Sequence, residues 1–195
     1  VIQQQMTQLL TQKSIAFIEK NKKNPFFLVL SHPMPHVPLY VSGRFKGKSK
    51  RGLYGDVLEE IDNGVGKILK TIEDEGLAEN TIVVFTSDNG PWLPFKLNGG
   101  SAGLLRAGKG STWEGGMREP GIFWAPGKIE PGVVSDLGST MDLFATFSKL
   151  AGVAIPDDRI LDSHDLGPTL FGKEKNTLVL FTIMAVPSLI IFART

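Results

Sequence analysis

The sequence predicts an α/β protein built on a mostly parallel sheet with helices on both faces. Two runs, "PFFLVL" at 25–30 and "TIVVFTS" at 81–87, have the length and the β-branched or aromatic content of buried strands. Between them, residues 53–75 carry helical periodicity over a span long enough to cross back over a sheet, which makes a right-handed, parallel βαβ unit. The composition agrees: 42% apolar and 21% charged residues in a chain of 195 is that of a globular protein and excludes a disordered one.

Taken in order, the elements are as follows. Residues 2–22 place Ile2, Met6, Leu9, Leu10 and Phe17 near helical spacing and close on "KNKKN", with basic groups at the end that the helix dipole favours. The run 25–30 shows no alternation, as expected of a strand covered on both faces. A polar, proline-rich loop follows, "SHPMPHVPLYVSGRFKGKSKRG". In 53–75, Leu53, Val57, Ile61, Val65, Ile68 and Ile72 recur every three or four residues; Gly64 and Gly66 weaken this helix and Gly76 closes it. After 81–87 comes the glycine-rich stretch "NGGSAGLLRAGKGSTWEGGMREPG", then a strand "IFWAP" at 122–126 and a turn at Pro126-Gly127. A helix over about 140–151 sets Met141, Phe144, Phe147, Leu150 and Ala151 on one face.

"GVAIPDD" reads as a boundary, so the chain divides into a main unit, 1–152, and the start of a smaller one, 153–195. The segment 177–193, "TLVLFTIMAVPSLIIFA", has seventeen residues without a charge, interrupted by Pro187. That is short for a membrane span. A buried strand pair is expected there, with a membrane-associated tail as the alternative.

Bulk properties remove several function classes. Twenty-one Lys+Arg against twenty Asp+Glu leave a net charge of +1 with no basic stripe, so nucleic acid is not an expected partner. With no cysteine, disulfides, zinc–thiolate sites and a thiol nucleophile are excluded within these residues. "VIQQQMTQLLTQK" lacks the basic start and apolar block of a signal peptide and opens without Met, so a mature or cut piece is expected.

In open α/β sheets chemistry collects beyond the carboxyl ends of strands. Both "SHPMPH" and "SDNGP" lie at such ends. Asp88 and Asn89 offer hard oxygen donors suited to Ca²⁺ or Mg²⁺; the same four residues, Asp-Asn-Gly-Pro, also make an ordinary turn. "GLLRAGKG" at 103–110 misses a phosphate-binding P-loop by one residue, because Gly110 stands where a hydroxyl is required and no strand precedes it. What remains is Lys109, an ammonium between glycines, which suits a sulfate or phosphate as a point charge, or is simply solvated. His36 follows Pro35 in a stiff loop and could donate to an anion or act as acid or base. His32 reads as packed, His164 as a surface residue, and Glu114, Arg118 and Glu119 as a network bracing their loop.

These signals become specific together. The ordered blocks "PFFLVLSHPMPHVP", "RGLYGDVLEEIDNGVGKIL", "NTIVVFTSDNGP", "GGSAGLLRAGKGSTWEGGMREPGIFWAPGKI" and "GSTMDLFATFSKLAGVAIPDDRILDSHDLGPTL" resemble the sulfatase family from about residue 14 to 173, most of all the arylsulfatase A and N-acetylgalactosamine-6-sulfatase branch. The resemblance implies an alkaline-phosphatase-like sandwich and a sulfuric ester hydrolase acting on aryl or sugar sulfates. It implies Asp88 and Asn89 as ligands of Ca²⁺ (or Mg²⁺), and His36 and Lys109 as the catalytic groups that bind the substrate sulfate. It also implies a formylglycine nucleophile made within a C/S-x-P-x-R motif, which these residues lack, as they lack the upstream acidic pair of the metal site. The chain therefore resembles the later part of a sulfatase catalytic domain joined to the start of the C-terminal subdomain, and alone it is expected to be inactive. After "FGKEKN" it departs from the family pattern, and Ser163-His164 replaces the usual Gly-x.

Two other readings stand beside this one: a phosphoryl hydrolase of the same architecture, which would want more histidines than three, and a non-catalytic sulfatase-like protein that binds sulfated ligands. Location by analogy is lysosomal or secreted, although no N-x-S/T sequon supports a glycosylated route.

Overall fold

Helix α1 (Met6–Asn21) and helix α2 (Gly52–Asp74) pack side by side on one face of a four-stranded sheet. The computed structural model describes residues 2–172, 181–182 and 188–193. The face that α1 buries is not the predicted one. Thr7, Thr11, Ser14 and Ile18 turn inward, while Ile2, Leu9 and Phe17 are exposed. Close approach to α2 explains this: a Cβ on Gly64 would lie 2.6 Å from Thr11 Oγ1, so the helices can meet only through small residues. The buried hydroxyls are satisfied within α1 itself, Thr11 donating to the Thr7 carbonyl and Ser14 to that of Leu10. The glycine that weakens α2 is thus the seat of α1.

On α2 the predicted stripe Val57, Ile61, Ile68 and Ile72 is buried. Two acids of the same helix, Asp56 and Glu60, are buried as well and fasten the polar loop before it. The Asp56 carboxylate accepts from the backbone N–H groups of Gly47, Lys48 and Ser49, which hold it below the usual carboxylate range, and Glu60 accepts from Ser42 N–H.

The sheet contains β1 (Phe26–Ser31), β2 (Thr81–Thr86) and β3 (Gly121–Trp124). A separate parallel pair joins β4 (Gly138–Ser139) to β5 (Phe181–Thr182). A late strand, β6 (Ser188–Ala193), completes the larger sheet in the order β1-β6-β2-β3. Direct parallel pairing of the two predicted strands does not occur. β6 lies between them and is antiparallel to both, with Phe26 and Thr81 each opposite Ala193, so β1 and β2 run in the same direction one strand apart. The physical reason is composition. "SLIIFA" is apolar on both sides, with Leu189, Ile191 and Ala193 in one core and Ile190 and Phe192 against the other, and it fits a central position.

The expectation that β1 is covered on both faces is also corrected. Phe26 and Leu30 are buried under the helices, but Phe27 and Val29 on the other face are exposed. That second face is covered over β2, β3 and β6 by helix α4 (Asp142–Ala151), which follows the one-turn helix α3 (Glu114–Met117) in the chain. α4 is rotated from the predicted face. Leu143, Ala145 and Phe147 are buried and Met141 and Phe144 are exposed. Its inward polar residues select this orientation, because Asp142 accepts from Ser139 and His164 N–H and Thr146 Oγ1 accepts from Leu166 N–H.

Residues 188–193, which the sequence reading assigns to the smaller unit, thus lie inside the sheet of the main one, as the buried strand expected in that region. The rest of the apolar segment, apart from 181–182, lies outside the described residues. No described helix is long and apolar enough to cross a membrane.

Candidate active site

β1 and β2 both end on the same side of the sheet, as parallel strands must. Their continuations, residues 32–37 and 87–92, wall a cleft of about 570 Å³. His36, Asp88, Asn89 and Lys109 all line it, so the structure brings together the four residues that the sequence reading offered as a site.

Lys109 arrives from a distant loop because two backbone crossings lace that loop to the end of β2. Lys109 N–H donates to the Pro91 carbonyl at 2.9 Å and Gly90 N–H to that of Gly116 at 3.2 Å, while Gly115 N–H, donating to the Arg106 carbonyl at 2.8 Å, closes the loop on itself. A Cβ on Gly90 would collide with the Gly115 carbonyl, so this crossing needs glycine. The "SDNG" and "GKGSTWEGG" blocks are therefore two sides of one junction, and α3 is the turn that closes it.

His36 is exposed at the rim, with Nδ1 2.7 Å from the Val37 carbonyl. A carbonyl only accepts, so Nδ1 carries the proton and Nε2 is left for other partners. The indole of Trp92 lies close to both His36 and Lys109: its centroid is 5.4 Å from the His36 ring and 5.2 Å from Lys109 Nζ.

The acidic side of the cleft holds a residue the sequence reading set aside. Glu114 and Arg118 pair at 3.1 Å, as a brace would. Glu119 instead lines the cleft. The β2–β3 register sets Thr86 opposite Gly121, so continuing it outward brings Glu119 opposite Asp88. Burial, and then the Asp88 charge, pushes the Glu119 carboxyl up to about 7. Burial also raises Asp88, against the lowering pull of Lys109. Asn89 Oδ1 and Glu119 Oε1 are buried with no hydrogen-bond partner. Tyr54, on α2, completes this wall, its hydroxyl raised by burial and then by Glu119.

This chemistry fits a hard cation. An orphaned amide oxygen beside a desolvated carboxylate is what Ca²⁺ or Mg²⁺ takes as ligands, although two such groups fall short of the roughly six to eight oxygens that Ca²⁺ collects. Among the described residues no three His, Asp or Glu side chains converge as a metal cluster.

The remaining histidines sit where the sequence suggested. His32 is fully buried, and desolvation pushes it down to about 4, which keeps it neutral. His164 is exposed, 3.4 Å from Asp142.

The sequence model of the family described as Sulfatase matches residues 2–153. The chain belongs to the sulfatase family. Over 190 residues it is 47% identical to N-acetylgalactosamine-6-sulfatase of Canis lupus familiaris, covering 93% of this chain and 36% of that protein. It is 43% identical over 188 residues to human steryl-sulfatase, covering 91% of this chain and 32% of that one. A solved structure of a Bacteroides thetaiotaomicron protein, described with the metabolism of multiple glycosaminoglycans, superposes with a TM-score of 0.81 at 36% identity, covering 89% of this chain and 38% of its own. This sulfatase chain thus shares the family's α/β fold and spans about a third of the length of the curated relatives it matches. Glu119 and Tyr54 were missed from sequence because only the β2–β3 register and the packing of α2 bring them to the cleft; Trp92 stands in the continuation of β2 itself, and its nearness to His36 and Lys109 depends on loops distant in sequence.

Proposed function

We propose that this chain supplies the sulfate-binding side and part of the metal site of a sulfuric ester hydrolase. One observation carries the reading. His36, Asp88, Asn89 and Lys109, from three separate segments, line a single cleft at the ends of two strands. Lys109 holds a sulfate oxygen by charge and His36 donates to another from Nε2. Because Nδ1 is already engaged, that donation requires the imidazolium. Asp88 and Asn89 hold Ca²⁺ (or Mg²⁺), which when bound neutralises sulfate charge. The family's formylglycine nucleophile belongs to a motif these 195 residues do not contain, so the covalent step falls to a segment outside them.

The substrates we infer are sulfate esters of sugars or sterol-like alcohols, supported by the relatives' names and by the structural neighbour's link to glycosaminoglycans. A lysosomal or secreted location follows from the same likeness.

The test is a chain joined to a segment carrying the nucleophile motif, assayed on an aryl sulfate. Lys109→Ala should lower kcat by 10²–10³, as loss of one oxyanion-stabilising donor does, about 3–4 kcal/mol. Unchanged turnover would return Lys109 to a solvated loop. Residues 1–195 alone should bind sulfate without hydrolysing the ester.

A further inference from the structure

We infer that Trp92 is the positioning residue of the anion site, its indole holding the His36 ring and the Lys109 ammonium in one arrangement. The inference rests on the reading of those two residues as sulfate ligands. With the anion absent, a histidine at the rim can turn away and a lysine side chain has many rotamers in which to escape. Something must offset both tendencies. Lys109 Nζ lies 5.2 Å from the indole centroid, within the roughly 6 Å over which a ring quadrupole attracts a cation. The His36 ring stands 5.4 Å from the same indole, tilted by 43°. One aromatic surface therefore contacts both groups.

The residue that carries the indole is anchored. The Trp92 backbone N–H donates to the Gly99 carbonyl at 3.0 Å, and the Trp92 backbone carbonyl accepts from Phe95 N–H at 3.0 Å. The Phe95 ring packs on the indole at 4.6 Å between centroids. The Lys109 backbone is tied to Pro91, the residue just before Trp92, so ring and ammonium share one anchor. Yet Trp92 is 37% exposed and lines the cleft, and burial alone does not account for its place.

The experiment is calorimetric titration of purified 1–195 with inorganic sulfate, comparing Trp92→Phe, Trp92→Leu and Lys109→Ala, with thermal unfolding as the folding control. Trp92→Leu keeps apolar bulk without a quadrupole and should weaken sulfate about three- to tenfold. Trp92→Phe should recover most of that loss. If Lys109→Ala abolishes binding while Trp92→Leu binds as wild type, the positioning role is overturned and the site reading stands. If Trp92→Phe is as weak as Trp92→Leu, bulk and not the aromatic face was responsible, and the inference also fails. If Lys109→Ala binds as wild type, the site reading itself falls, and so does the inference; a wild-type chain that binds no sulfate overturns both.

Discussion

The helix-covered face of the sheet and the cleft at its strand ends are built by opposite rules. Under α1 and α2, Ile18, Ile68, Ile72, Leu189 and Ile191 are fully buried, and the hydroxyls of Thr11 and Ser14 are paired within their own helix; Glu60 Oε1, on the side of α2 that meets the polar loop, is the exception among the described residues. At the strand ends, His32, Thr86, Asn89 and Glu119 each carry a buried polar atom without a partner. Each such atom costs about 1–3 kcal/mol. The first region is optimised for folding. The second holds polar groups ready at a cost in stability that a ligand can repay.

Truncating the covered face gives the largest effect that this contrast predicts. Leu189→Ala leaves a cavity in the strand shared by β1 and β2 and should cost about 2–5 kcal/mol, read by urea unfolding. A cost under about 1 kcal/mol would mean that β6 is not central to the core.

The helix seam comes next. Gly64→Ala should force α1 outward and cost about 1–3 kcal/mol, and Thr11→Ala in the same chain should recover most of it by removing the hydroxyl that the new methyl meets. Additive losses in this double-mutant cycle would show that the seam is not where the two helices meet.

The smallest effect belongs to the cleft and has the opposite sign. Glu119 has a raised folded-state pKa, so the folded chain holds its proton longer than the unfolded one, and stability falls as pH rises from the ordinary glutamate value of 4.5 through about 7. With metal chelated, Glu119→Gln should match wild type at pH 4 and exceed it at pH 8. The full shift would be worth about 3 kcal/mol, but the carboxyl is only half buried, and solvent screening reduces this to about 1 kcal/mol. Equal stability at both pH values would mean that the Glu119 carboxylate is already compensated.

Much of this arrangement was legible in the sequence where local physics decides. The α2 stripe and the strand at 81–86 are set by periodicity and β-branched content, and Asp88, Asn89, Lys109 and His36 stood out as donors next to glycines and prolines. What escaped depended on distant partners. The inward face of α1 follows from Gly64, not from its own leucines. That of α4 follows from the backbone N–H groups that Asp142 and Thr146 satisfy. Exposed Phe27 and Val29 could not be foreseen, because an unbroken apolar run looks the same whether one face or two are covered. Glu119 was read with its sequence neighbours Glu114 and Arg118, whereas its place is set by a register that only the paired strands define.

The position of β6 also fixes an order of events. β1 and β2 are both made before β6, yet neither bonds directly to the other; both wait for a strand drawn from the far end of the described chain, Phe26 and Thr81 alike for Ala193. Until that strand arrives, α1 and α2 can pair with each other but have no closed sheet to rest on. Contacts of such long sequence separation are entropically late and slow. A nascent chain that pauses before residue 188 would leave unpaired the edges of β1 and β2 that β6 joins, beside the exposed Phe27 and Val29 of β1, for whatever chaperone or neighbouring chain meets them first.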